Sequence, residues 1–348
     1  MAGKTRQSNI ELLRILTICG VVVLHYNGNF AFKHVAQGSV NQQILLALEV
    51  LFICAVNLFV LITGYFSCTS NSRRAIKPLE LLVQVVLLGA AKYLASAALS
   101  GAFSLGGLVG AMIPNNYFVF LYVTLYLVSP YINVLLDKLS EKQFGILVGL
   151  CLLLFSVWPT ALDFVYAKTG MNFTGMYTTN TGGSQMGYSI LNFVLMYLLG
   201  AYLRRCEDKQ WKTWTLALSA VACVGALFVW QMVDAQTARS YANPFVIATA
   251  VLVFCIFRRI SLQSRVVNAL AKGAFTCFLL HDALLPLMGI PRAVAAHPVV
   301  MIGHILVTAP MIFLICWAVW KVYDLVTAPV FRWLGKKLSR LDELLSIQ

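Results

Sequence analysis

The chain has 348 residues, of which 60% are hydrophobic and only 11% charged, against about 25% charged in an average soluble domain; an ordinary soluble globule is excluded. Twenty-six Lys and Arg against 13 Asp and Glu give a net charge of +13. These charges sit between apolar segments and build no soluble basic face, which excludes nucleic acid and leaves an anionic membrane surface or an anionic ligand as the partner.

Windows long enough to cross a bilayer, about 20 apolar residues each, predict ten helices in chain order, near 12–32, 43–64, 78–100, 116–136, 144–161, 187–203, 213–233, 244–257, 272–290 and 299–322. The first follows a basic MAGKTRQSN segment. It has no small-residue cleavage site and carries Arg14 and His25, so it reads as a retained helix and not a signal peptide. Between the fifth and sixth helices, the stretch from Asp163 to Gly187 is rich in Asn, Thr, Gly and Tyr. That composition suits a solvated connector, or a surface on which a sugar stacks. Nine cysteines show no CxxC spacing and read as free thiols used as small hydrophobes. No Walker loop, GxGxxG or metal-spaced His cluster is present in the sequence, so neither a metal nor a permanently bound cofactor is expected.

With the N-terminus placed in the cytoplasm, 20 Lys and Arg fall on inside segments and four, Lys33, Lys168, Arg239 and Arg292, on outside loops. This asymmetry predicts an N-in, C-in orientation. The predicted fold is an all-α polytopic membrane domain over 1–322, followed by a cytoplasmic basic tail over 323–348. In the tail, Phe331, Leu334, Leu338, Leu341 and Leu345 share one helical stripe while Arg332, Lys336, Lys337 and Arg340 face elsewhere, the pattern of an amphipathic helix lying on anionic membrane lipids.

Among the ionisable groups inside predicted spans, Arg14, His25, Glu49, Lys92, His281 and Asp282 are the ones to explain. A charge at bilayer depth costs at least ~2.5–3.5 kcal/mol, which makes each a functional candidate. Arg14 and His25 are eleven residues apart, close to three full turns, so both project from one face about 16 Å apart. Counting depth from the helix ends places His25, Glu49, Lys92 and the His281-Asp282 pair at one level in the outer half. Glu49 is the carboxylate expected beside His25, although a structural Glu49–Lys92 ion pair fits as well. Neighbouring Asp282 points some 100° away from His281 around its helix.

Several segments resemble a known family. NIELLRILTICGVVVLHYN, with Arg14, ten residues and His25, is similar to the first-helix signature of the acyltransferase family 3 integral-membrane acyltransferases. AVNLFVLITGYF, NNYFVFLYVTLYLVSPYINVLL and FTCFLLHDALLP resemble later segments of that family in the same order. Asn57, Thr63 and Asn116-Tyr117 depart from its usual residues. The resemblance implies transfer of an acyl group, commonly acetyl from acetyl-CoA, to a hydroxyl of a cell-surface polysaccharide or lipid-linked sugar. A bacterial plasma membrane is the expected location. His25 reads either as general base on the acceptor hydroxyl or as the carrier of a covalent acyl-histidine relay, with Glu49 orienting its tautomer, and Arg14, Arg73, Arg74 and Lys77 are the cations expected to hold the acyl-CoA phosphates. Lys92, Asn116, Tyr117, His281 and Asp282 are the expected oxyanion or acceptor contacts. A proton-coupled transporter or exporter of an anionic solute or glycan is the alternative that the buried His, Glu and Lys also suit.

Overall fold

The computed structural model describes residues 6–29, 31–179, 185–205 and 211–347. Positions 180–184 of the long outer loop and 206–210 of the 204–212 loop lie outside them. Among the described residues there are helices and no strand. In chain order they are α1 Ser8–Asn29, α2 Val40–Phe52, α3 Ala55–Ser67, α4 Ile76–Ser100, α5 Leu105–Met112, α6 Tyr117–Asp137, α7 Glu141–Leu152, α8 Trp158–Thr169 and α9 Ile190–Arg205. The second half comprises α10 Thr213–Val233, α11 Ala235–Ala238, α12 Pro244–Arg258, α13 Arg265–Leu270, α14 Ala274–Met288, α15 Arg292–Ala296, α16 Pro298–Lys337 and α17 Ser339–Leu344.

Eight of the helical runs are long and apolar enough to cross a membrane. Each of the ten windows read from the sequence is helical. The two that fall short of a full span by length are α9, with 16 residues, and α12, with 15. α2 and α3 form one run of the eight, broken only at Ile53-Cys54, and a π-helical turn at Leu153–Val157 joins α7 to α8. The chain is therefore an all-α polytopic membrane protein.

Two apolar cores share α1. One gathers α3, α9, α6 and α12 around Tyr65, Phe193, Tyr197 and Phe254; the other packs α1 against α14 and α16 through Ile18, Val22, Cys277, Ile312 and Cys316. α3 and α9 make the most extensive helix pair, and glycines set its spacing. A Cβ on Gly64 would strike the Tyr197 carbonyl, and one on Gly200 the Leu61 carbonyl. With no hydrophobic driving force between helices in lipid, such close backbone approach is what holds spans together.

α16 is a single helix of 40 residues, about 60 Å long, and passes residue 322 without a break. The tail turns only at Leu338, where α17 folds back on the loop between α3 and α4. There Ala75 N donates to Asp342 Oδ1 at 2.7 Å, and Ile347 N to the Asn71 carbonyl at 3.1 Å.

Candidate active site

α1 and α14 lie side by side and bring residues 25 and 282 together. His25 Nδ1 stands 2.9 Å from Asp282 Oδ1. One turn further along α1, Asn29 Nδ2 donates to the same carboxylate oxygen at 3.4 Å. Because a carboxylate only accepts, the neutral His25 ring bonded to it carries its proton on Nδ1 and leaves the Nε2 lone pair unprotonated. The His25 side chain is 42% exposed and that of Asp282 51%, so neither is sealed inside the packed helices. His281 is enclosed. Its ring meets that of His25 edge-on with centroids 4.6 Å apart, its Nδ1 donates to the Cys277 carbonyl at 2.9 Å, and its Nε2 lies 3.6 Å from Asp282 Oδ1. Lys92 of α4 adds its charge to the field at Asp282. The buried bond from Gln84 Nε2 to Thr276 Oγ1, 2.7 Å, ties α4 to α14 below it.

Glu49 is a correction. Its Oε2 faces Arg239 Nη1 at 3.9 Å, Arg239 grips Gln231 Oε1 through Nε and Nη2, and Gln231 Nε2 donates to the Leu46 carbonyl; Glu49 also bonds Asn27 of α1, and it feels His25 through its charge and not through a direct contact. The carboxylate on His25 is that of Asp282, and the cation on Glu49 is Arg239, not Lys92. Depth counted along a helix does not fix the direction in which that helix presents a side chain. The offset of 100° per residue between His281 and Asp282 is what allows one to be buried while the other reaches across to α1.

At the other end of α1, Arg14 pairs with Glu11 at 3.2 Å and lines two cavities. One, of about 340 Å³, is polar and is walled by Arg6, Gln7, Glu11, Tyr65, Thr69 and Arg204. The other, of about 240 Å³, is lined by Phe59, Thr63, Phe118, Tyr122, Phe275 and Phe278. The Phe278 ring is 6.4 Å from that of His281, so the apolar cavity ends close to one helical turn short of the His25–Asp282 pair.

The structure sets the other expected phosphate ligands apart from Arg14. Arg73 is buried and spends its whole guanidinium on protein. Its Nε bonds Ser129 Oγ at 3.0 Å and the Tyr126 carbonyl; its Nη1 bonds the Ser70 and Ser72 carbonyls at 2.7 and 2.9 Å; its Nη2 bonds Ser129 Oγ at 2.7 Å. Arg74 lies against Gly335 and lines a groove with Arg332 and Lys336, while Lys77 pairs with Glu80 at 2.6 Å. None of these three lines either cavity at Arg14, whose cationic companions are Arg6 and Arg204 in the first and Lys272 in the second. Asn116 caps α6, accepting from Phe118 N and Val119 N, and Tyr117 packs edge-on against Tyr188, which in turn packs on Tyr241. Neither residue joins the His25 cluster.

Residues 7–321 match the family model for the acyltransferase 3 domain, which covers most of the chain. The chain belongs to that family. No curated protein and no solved structure matches it. As a membrane acyltransferase, the protein needs a group that takes a proton from an acceptor and a place for an activated acyl donor. The His25–Asp282 pair and the Arg14 cavities are the features that offer them. Of the residues not read from sequence, Asn29 carried a visible signal, lying one turn beyond His25 on the same face. Arg204 carried none, since only the tertiary fold brings α9 to Arg14.

Proposed function

We propose that this membrane acyltransferase takes an acyl group, the simplest being acetyl, from cytoplasmic acyl-CoA and transfers it to a hydroxyl of a cell-surface polysaccharide or lipid-linked sugar in a bacterial plasma membrane. Both termini face the cytoplasm and ten helices cross, with α9 and α12 completing the count in the protein interior. The observation that carries this reading is the placement, on one face of α1, of a cation at the meeting of a polar and an apolar cavity and, about 16 Å further along, a carboxylate-oriented imidazole.

In this reading Arg6, Arg14 and Arg204 hold the CoA phosphates in the polar cavity, with the guanidinium fork of Arg14 able to bind an oxygen pair. Glu11 restrains Arg14 until phosphate arrives. The pantetheine arm threads the aromatic cavity and brings the thioester to His25. His25 Nε2 accepts the proton of the acceptor hydroxyl as its oxygen attacks the thioester carbonyl. The imidazolium that forms is stabilised by Asp282, and the oxyanion by Lys92. Collapse of the tetrahedral intermediate breaks the carbon–sulfur bond, and the proton held on Nε2 passes to the departing CoA thiolate. The enzyme emerges unchanged.

The test is release of free CoA from acetyl-CoA by the purified protein in detergent or proteoliposomes, with a sugar acceptor present. His25→Ala should abolish release while expression and insertion persist. Equal activity in that variant defeats the assignment. Mass spectrometry of surface glycans from cells with and without the protein identifies the acceptor.

A further inference from the structure

We propose that His25, His281 and Asp282 form a binding site for a divalent ion of the zinc class, and that the bound ion switches off acyl transfer. The ion-binding part stands on geometry alone; the switching part rests on His25 being the proton acceptor.

One ligand atom from each residue lies within 4.8 Å of the others. A tetrahedral zinc with bonds of about 2.0–2.1 Å needs its ligands roughly 3.3 Å apart, and the measured Nδ1–Oδ1 and Nε2–Oδ1 distances of 2.9 and 3.6 Å bracket that value. The fixed point is His281. Its side chain is 2% exposed and its Nε2 is buried without a hydrogen-bond partner, an arrangement that costs free energy unless something occupies the lone pair. Its other nitrogen donates to the Cys277 carbonyl, which sets the tautomer so that Nε2 presents its lone pair to the cluster. A histidine ligand held by a backbone carbonyl through its second nitrogen is the usual support of a metal site. His25 and Asp282 are half-open to solvent and have the freedom to close the remaining distance. Two imidazoles and one carboxylate favour zinc over magnesium or calcium, which prefer all-oxygen sites. Lys92 acts against occupancy, because its charge already serves Asp282.

When the ion binds, His25 coordinates through Nδ1. The proton that Nδ1 shared with Asp282 moves to Nε2, the ring stays neutral and no proton is released. The lone pair at Nε2 is thereby lost, and with it the capacity to take a proton from a hydroxyl. Water fills the fourth position on the ion.

The experiment uses the full-length protein in detergent, stripped with chelator and titrated with Zn²⁺ by calorimetry and with Co²⁺ by visible absorption, without any acyl donor. One ion per chain is expected, with the d–d bands of a tetrahedral Co²⁺ and without the near-ultraviolet charge-transfer band that thiolate ligands give. Asp282→Asn and His25→Gln, both at solvent-open side chains, should each weaken binding at least about tenfold, the lower end of what even supporting groups contribute. His281→Gln should do the same, and Lys92→Gln should strengthen binding. Absence of stoichiometric binding, binding unchanged in Asp282→Asn and His25→Gln, or a thiolate band would each overturn the site. In the transfer assay, Zn²⁺ should suppress CoA release and chelator restore it. If the site binds the ion but activity is indifferent to it, the switch is overturned while the site stands. If metal-free protein shows no transfer at all, it is the acyltransfer mechanism at His25 that fails.

Discussion

Asp282 meets His25 from a half-exposed position, so in the proposed mechanism its contribution is to chemistry more than to folding. Asp282→Asn keeps the size of the side chain and withdraws the charge that stabilises imidazolium. We expect kcat to fall about 10²-fold or more with the KM for acyl-CoA nearly unchanged, read from initial rates of CoA release; an effect confined to KM would count against the orienting role. Glu49→Gln should leave kcat close to that of the parent and lower stability by about 1–3 kcal/mol, because Glu49 is buried and its partner is Arg239. The ionisable slab was legible in the sequence, since charges in apolar helices announce themselves. The pairing within it was not. Axial depth follows from residue counting, whereas which neighbour a side chain faces depends on how α1 and α14 are rotated about their own axes, and no spacing rule records that.

At the scale of elements, two adjacent arginines separate cleanly by what they touch. Arg73 ties the loop after α3 to Ser129 and Tyr126 of α6. Removing it strands several buried acceptors at about 1–3 kcal/mol each. Arg73→Ala should therefore lower the melting temperature sharply, and the surviving folded protein should keep its KM. Arg14→Ala should chiefly raise the KM for acyl-CoA, as loss of a contact common to ground and transition states does. A kcat defect without a change in KM would contradict phosphate binding by Arg14. Gly200→Leu should prevent the α3–α9 pair from closing, since even a Cβ there meets the Leu61 carbonyl; size-exclusion chromatography in detergent would show misfolded or aggregated protein. The positions of helices were legible from apolar run length, but the glycine crossing was not, because a glycine inside an apolar run looks like any other small residue until its neighbour is known.

For the whole molecule, charge asymmetry predicts the orientation of every span at once. Single cysteines introduced into a cysteine-free background at Ser72 and Thr174 should be labelled from opposite sides of the membrane, Ser72 from the cytoplasm and Thr174 from outside. Labelling of Ser72 from outside would reverse the topology. The predicted tail is one place where element and domain part company, since α16 carries its helix through residue 322 as far as Lys337. A hydropathy window sees where lipid contact ends, and backbone hydrogen bonding continues past that point for as long as nothing interrupts it.

The two halves of the proton-handling pair are separated by 257 positions along the chain, from His25 to Asp282. Ribosomes add about 5–20 residues each second, so α1 emerges roughly 13–50 s before the helix that carries its carboxylate. Throughout that interval α1 is a membrane segment with an imidazole and no final partner. α2 and α3, which pack on it and leave the ribosome within a few seconds, are the companions that shelter it. The order of synthesis thus makes the contact between His25 and Asp282 among the last to form, and no chain released before α14 can make it.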